Sequence, residues 1–238
     1  MLDKNQKLNI INKLMSFIIA IDGPAGSGKT TTAKRVAEIL KVIYLDTGAM
    51  YRAVGLYVLS KIGETLDEDK IKPLLNEIEI RFENVSGERR ILLNGRDISD
   101  EIRNETISQM ASKVSTLKSV RDFLVDEQRR ISKNTSLVAE GRDIGTVVFP
   151  HAQLKFYMDC TIDERAKRRS LEYSEKKIQT DISDIKRQIA ERDERDKSRA
   201  HAPLKMADDA ILIDTTSMSK EEQIQFVVAK AQKLKDCI

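Results

Sequence analysis

Directly behind the apolar run Phe17-Ile-Ile-Ala-Ile21 stands Gly23-Pro-Ala-Gly-Ser-Gly-Lys-Thr30, and a helical pattern from Thr31 to Leu40 follows it. The stretch fits G-x-x-x-x-G-K-[ST] without a mismatch, in the strand–loop–helix setting the pattern requires. The glycines let successive backbone N–H groups turn toward one anion, and the helix adds the positive end of its dipole. Lys29 is placed to reach the outer phosphates of a bound triphosphate, and the Thr30 hydroxyl to ligate Mg²⁺. Gly23, Pro24, Ala25, Gly26, Ser27, Gly28 and Thr31 complete the expected contacts. A flexible Gly/Ser turn would need neither the strand, the Lys-Thr pair nor the helix. The reading is that the chain binds a nucleoside triphosphate.

The rest of the chain repeats the strand–helix rhythm. Short apolar strands are expected at Val42–Leu45, Leu137–Ala139, Leu154–Met158 and Ala210–Ile213, with helices at Ala49–Leu59, Asn104–Ser132, Asp163–Ala200 and Lys220–Lys235. Five apolar strands separated by helices predict an α/β fold, a parallel sheet wrapped on both faces. An amphipathic stretch, Asp67–Asn76, leads into alternating segments Ile78–Phe82 and Arg90–Leu93, with turn signals at Asn84–Gly87 and Asn94-Gly95. These predict a small antiparallel sheet inserted at about 63–103. Residues 15–238 read as one domain with this insert and a charged flap at about 163–200. Residues 1–14, polar and Asn/Lys-rich, read as a disordered leader.

In an open α/β sheet, ligands gather beyond the carboxyl ends of the strands. Three such ends carry polar clusters: the phosphate loop, Asp46-Thr-Gly-Ala-Met-Tyr-Arg52, and Glu140-Gly-Arg-Asp143. They should converge on one cleft, which makes Arg52, Arg142 and Asp143 candidates for a second substrate; a helix cap or a surface ion pair is the alternative for each. In Glu191-Arg-Asp-Glu-Arg-Asp-Lys-Ser-Arg199, helical spacing aligns Arg192, Arg195 and Arg199, with Asp196 four residues after Arg192. That segment is either a solvated helix laced with weak ion pairs or an arginine-bearing lid over a triphosphate. Arg165, Arg168 and Arg169 supply a second basic row where such a lid would begin.

Other catalytic equipment is sparse. The two histidines, His151 and His201, lie near prolines with no nucleophile nearby, and no Asn-Lys-x-Asp guanine signature follows the loop. Arginine without an evident general base favours an acceptor that is already anionic, a phosphate rather than a sugar hydroxyl. Charged residues make up 33% of the 238 residues, but the net charge is only +3, which gives little reason to expect nucleic acid. Cys160 and Cys237 match no metal spacing or disulfide framework, so a reduced, cytoplasmic protein is expected. The apolar run before the loop is too short for a membrane span.

The phosphate loop, Leu45-Asp-Thr-Gly-Ala-Met-Tyr-Arg52, Glu140-Gly-Arg-Asp-Ile-Gly-Thr-Val-Val-Phe-Pro150, and Glu191–Arg199 followed by Ala202-Pro-Leu204 occur in this order. The set resembles the bacterial cytidylate kinase family from about Ser16 onward. The resemblance implies a P-loop kinase fold with a helical lid and transfer of the ATP γ-phosphoryl group to CMP or dCMP, with Mg²⁺ as cofactor. By the same resemblance Lys29, Arg142, Arg192 and Arg199 carry the transfer. Arg52, Arg142 and Arg199 would clamp the acceptor phosphate, Arg192 and Asp196 would meet its sugar, and Ser112, Arg121 and Asp143 would read the base. Thr47, Tyr51 and Arg103 complete the implied CMP set. Glu140 and Thr47 stand where Asp and Ser are frequent in the family. The rival readings are a P-loop kinase for UMP or shikimate, and a nucleic-acid-dependent ATPase built on the basic run from Asp163. A monomer is expected, since no unexplained apolar surface stretch stands out.

Overall fold

The protein is described by a computed structural model covering residues 16–85, 88–175, 177 and 179–235. The expected leader, half of the Asn84–Gly87 turn and Cys237 lie outside these residues. The described residues form two compact units. One comprises the chain up to Leu45 and from Arg129 onward; the other is Asp46–Gln128.

The first unit is built on a five-stranded parallel sheet: β1 (Ile18–Asp22), β2 (Ile43–Asp46), β6 (Leu137–Gly141), β7 (Leu154–Asp159) and β8 (Ile211–Asp214), in the order β2-β6-β1-β7-β8. β1 lies in the middle. It pairs in parallel with β6 from Ile18↔Leu137 to Asp22↔Gly141, and with β7 from Ile19↔Leu154 to Asp22↔Tyr157. All five expected strands are present, shifted by a residue or two. β1 is buried on both sides, which explains why it reads as an unbroken apolar run rather than an alternating one. On one face Ile19 and Ile21 pack with Phe156, Met158, Val36 of α1 (Lys29–Leu40) and Ile224 and Val227 of α8 (Lys220–Lys235). Side chains alternate along a strand, so Ala20 and Asp22 point to the other face.

The charged region expected as one helical stretch at Asp163–Ala200 is two helices, α6 (Ile162–Glu175) and α7 (Ile182–Ser198). Asp181 ends the interval between them: its carboxylate accepts the Ser183 N–H at 2.7 Å and caps α7.

The second unit contains α2 (Thr47–Ile62), α3 (Glu68–Leu75), an antiparallel sheet, α4 (Glu105–Val114) and most of α5 (Lys118–Ser132). It is wider than the insert expected at 63–103. Its sheet has three strands, β3 (Ile80–Val85), β4 (Glu88–Leu93) and the short β5 (Arg96–Asp97). Asn94 and Gly95 both take positive φ, the geometry a two-residue hairpin demands. The helix expected to run unbroken from Asn104 to Ser132 is interrupted at 115–117. The Ser115 hydroxyl donates to Ser112 O and the Thr116 hydroxyl to Lys113 O, both at 2.8 Å, offering the chain an alternative to continued helix.

Candidate active site

β1 ends at the phosphate loop, whose shape explains its glycines. Gly23 sits at φ 153°, and a Cβ there would lie 2.1 Å from Met158 O of β7. Gly28, at φ 92°, is the N-cap of α1; a Cβ would come within 2.6 Å of Gln223 Oε1. No side chain caps α1, and its first turn carries no acid. Its leading N–H groups are therefore matched to an external anion.

Lys29 is 4% exposed and its Nζ donates to Pro24 O at 2.8 Å. Burial is the main force that lowers its pKa, from 10.5 to about 7. The positive charges of Arg142 and Arg192 push the same way, against Glu140 and Asp196. The Thr30 hydroxyl donates to Glu140 Oε1 at 2.7 Å, and Tyr44 of β2 donates to the same oxygen at 2.9 Å. Thr31 is exposed on the first turn of α1.

The strand β6 carries Glu140 at its carboxyl end, followed by Arg142 and Asp143 and then a single π-helical turn, Ile144–Val148, that no sequence pattern announced. Arg142 Nε donates to Asp196 Oδ2 of α7 at 2.8 Å. Burial opposes the Arg142 charge, but Asp196, then Glu140 and Asp193, outweigh it and raise its pKa. Burial likewise works to raise the Asp196 pKa, and Arg142 and Arg192 overcome it, so the net shift is downward. Arg199 Nη2 donates to Asp143 Oδ1 at 3.3 Å, and Arg199 Nε to Ala202 O at 2.6 Å. The first unit thus brings the loop lysine into one electrostatic neighbourhood with Arg142, Arg192 and Asp196, with Asp143 and Arg199 paired beside them.

The solvated-helix reading of α7 fails on its inner face. Ile185, Ile189, Asp193 and Asp196 follow at helical spacing and all are buried, and Arg199 at the C-cap is buried with them.

The basic row of α6 also differs from expectation. Arg165, expected in a basic row where a lid would begin, is 3% exposed and packed against the loop. Its guanidinium grips Asp193 with two bonds, Nη1 to Oδ1 at 3.0 Å and Nη2 to Oδ2 at 2.6 Å, and donates to Ala25 O at 3.2 Å and Cys160 O at 3.0 Å. Arg168 donates to Glu164 and to the carbonyl of Thr215, whose hydroxyl in turn donates to Ser27 O at 2.8 Å. Arg169 bonds Tyr173 OH at 3.0 Å, and Arg195 is half-buried on α7. Arg165 and Arg168 are supports for the loop.

In the second unit Asp46 caps α2 by accepting the Ala49 N–H at 2.7 Å, and pairs with Arg52 at 3.2 Å. Thr47 is buried in the first turn, and the Arg121 guanidinium lies 5.8 Å from the centre of the Tyr51 ring. Ser112 and Arg121 are buried, on α4 and α5, whereas Arg103 is exposed.

Several residues that matter here escaped sequence reasoning. Glu140 drew notice as the start of a polar strand-end cluster and as a departure from a family pattern but was given no role, and Asp22 was given none either, yet both are buried acids at the ends of buried strands. Asp193 could have been found by extending the Ile185–Ile189 face one further turn. Thr215 and Gln223 gave no signal.

The chain is similar to several known cytidylate kinases. Cytidylate kinase of Lactococcus lactis subsp. lactis (strain IL1403) is 44% identical over 216 residues, covering 91% of this chain and 97% of its own. That of Caldicellulosiruptor bescii is 45% identical over 210 residues, covering 88% and 93%. The bifunctional pantoate ligase/cytidylate kinase of Prochlorococcus marinus (strain AS9601) is 46% identical over 213 residues, 89% of this chain but 42% of that longer protein. The profile of the cytidylate kinase family spans residues 19–233, and with it the chain belongs to that family.

Proposed function

We propose that the chain transfers the γ-phosphoryl group of ATP to CMP or dCMP, giving ADP and the nucleoside diphosphate, as an ATP-dependent nucleoside-monophosphate kinase of the cytoplasm. The observation that carries this reading is the shared electrostatic field of Lys29, Arg142 and Arg192. The phosphate-loop lysine and two arginines of neighbouring segments feel one another's charge. Phosphoryl transfer asks for this arrangement, since it is catalysed by positioning and by positive charge around the equatorial oxygens.

The uncapped first turn of α1 and the loop N–H groups would hold the β- and γ-phosphates, and Lys29 would turn from Pro24 O to the transferring group. Arg142 and Arg199 would bind the acceptor phosphate, and Arg192 and Asp196 its sugar. The attacking phosphate oxygen is already anionic, so no side chain need remove a proton from it. The Thr30 hydroxyl and the Glu140 carboxylate, 2.7 Å apart, are hard oxygen donors of the kind Mg²⁺ takes in small number beside phosphate oxygens and water. Mg²⁺, when bound, would neutralise charge on the β- and γ-oxygens. In the second unit Ser112 and Arg121 would offer the hydroxyl and guanidinium donors that cytosine's N3 and O2 accept, and in the first unit Asp143 is a carboxylate acceptor of the kind its N4 amine needs. Uracil would leave one or more of these groups unpaired, at about 1–3 kcal/mol each.

Coupled ADP release measured across CMP, dCMP, UMP and shikimate tests the proposal. Turnover fastest with CMP or dCMP is expected; faster turnover with UMP or shikimate would overturn the cytosine reading.

A further inference from the structure

Asp22 has no part in the mechanism above, yet it joins the two segments that mechanism depends on. It is the last residue of β1 and the one before the phosphate loop, and it is 4% exposed. Its Oδ1 accepts the Ile144 N–H at 2.8 Å and its Oδ2 the Gly145 N–H at 2.7 Å. These two groups open the π-helical turn that follows Arg142 and Asp143. At the other end of that turn Arg129 donates to Val147 O at 2.9 Å and Val148 O at 3.1 Å. A carboxylate therefore holds the first N–H groups of the turn and a guanidinium its last carbonyls, as a one-turn helix too short to satisfy itself requires.

The choice of residue is informative. Burying a carboxylate is costly, and here burial pushes the Asp22 pKa up to about 7, with Asp143 adding repulsion against the backbone bonds and Lys29. An asparagine would avoid the charge but offers one acceptor oxygen, and its NH₂ would face the second N–H. Only a carboxylate receives two adjacent N–H groups on two oxygens. The fit is close on the opposite side as well: a Cβ at Gly145 would lie 3.1 Å from Lys155 Cδ and 3.4 Å from Asp22 Oδ2.

We infer that Asp22 is a positioning residue which locks the start of the triphosphate loop to the Arg142-Asp143 segment, so that donor and acceptor phosphates are held in mutual register. The inference rests on the acceptor role given to Arg142 and Asp143 under the proposed function.

The test uses the full chain with Asp22→Asn. ATP affinity in the absence of CMP, measured by titration calorimetry, is expected to stay within about twofold of wild type. The KM for CMP should rise, and kcat should fall by about tenfold or more, because small misplacements of reacting groups cost rate steeply. Gly145→Ala strains the same joint from the other side and should reproduce the split between ATP and CMP; it decides the matter if Asp22→Asn does not fold. Equal losses for both substrates that track the drop in melting temperature would reduce Asp22 to a fold element and overturn the inference, as would wild-type kinetics in Gly145→Ala. Wild-type protein assayed alongside separates the underlying reading: no CMP turnover there removes the acceptor role itself, whereas robust turnover with an unsplit Asp22→Asn removes only the joint.

Discussion

Nucleotide binding should draw a proton onto Lys29. Burial first, and the Arg142 and Arg192 charges next, hold its pKa near 7. At pH 8 a group with that pKa is about nine-tenths neutral. A triphosphate beside the amine reverses the balance, since a near anion favours the ammonium form, and binding must then take up close to one proton. About half a proton should be taken up at pH 7 and about a tenth at pH 6. At pH 8 the phosphates are already ionised, so uptake there reports on the protein. Calorimetric titration with ATP in buffers of different ionisation enthalpy measures it: the slope of observed heat against buffer enthalpy is the number of protons exchanged. A slope near 0.9 at pH 8 in wild type and near zero in Lys29→Met is expected. A zero slope in wild type, or the same slope in both, would refute the assignment of a neutral lysine poised in the loop.

The same group makes a stability statement. Between pH 7 and 10.5 the unfolded chain carries a proton on Lys29 that the folded protein does not, so stability should rise with pH through that window. The gain is present in full above 10.5 and lost as pH falls toward 7. Lys29→Met should remove that part of the slope.

Asp22 should act in the opposite sense: its folded pKa of about 7 lies above the ordinary 3.8, so its contribution is full below about pH 4 and lost as pH rises to 7. Urea midpoints across that range should fall less steeply for Asp22→Asn than for wild type. Arg165→Ala leaves Asp193 buried without its two-pronged partner and should cost about 3–5 kcal/mol in denaturant unfolding. Replacing both Arg165 and Asp193 by alanine should cost less than the sum of the single changes. Thr30→Val keeps the shape of the first turn but removes the hydroxyl that meets Glu140; weaker Mn²⁺ binding in the presence of ATP, read by paramagnetic resonance, is expected.

What was legible in the sequence was what backbone geometry forces. The loop could be read because Gly23 and Gly28 occupy places where a Cβ would collide with Met158 O or Gln223. The central strands β1 and β6 could be read because a parallel strand covered on both faces admits little but apolar residues. The hairpin at Asn94-Gly95 showed itself through positive φ, whereas β5, two residues long, is too short to carry a pattern. The break at 115–117 was hidden because Ser and Thr are tolerated inside helices and terminate them only by local bonds to Ser112 and Lys113.

The charged residues of α7 were the hardest to place, and the reason bears on function. Arg192, Asp193, Arg195, Asp196 and Arg199 have the composition of a surface helix, yet Asp193, Asp196 and Arg199 are buried. Ions are not put there for stability, since packed apolar groups of similar volume commonly serve a fold as well or better than a buried pair. Each buried acid here has an arginine partner: Asp193 with Arg165, Asp196 with Arg142, Asp143 with Arg199. Two of those arginines, Arg142 and Arg199, are among those proposed for the acceptor phosphate. On the proposed roles, Asp196 and Asp143 would hold the Arg142 and Arg199 guanidinium groups in place before any phosphate arrives, and such preorganisation lets a site stabilise a transition state without rearranging. Removing Asp196 should therefore weaken binding of the acceptor phosphate although it bears the same sign of charge. A tighter complex with CMP in Asp196→Asn would show that the pair merely competes with the substrate.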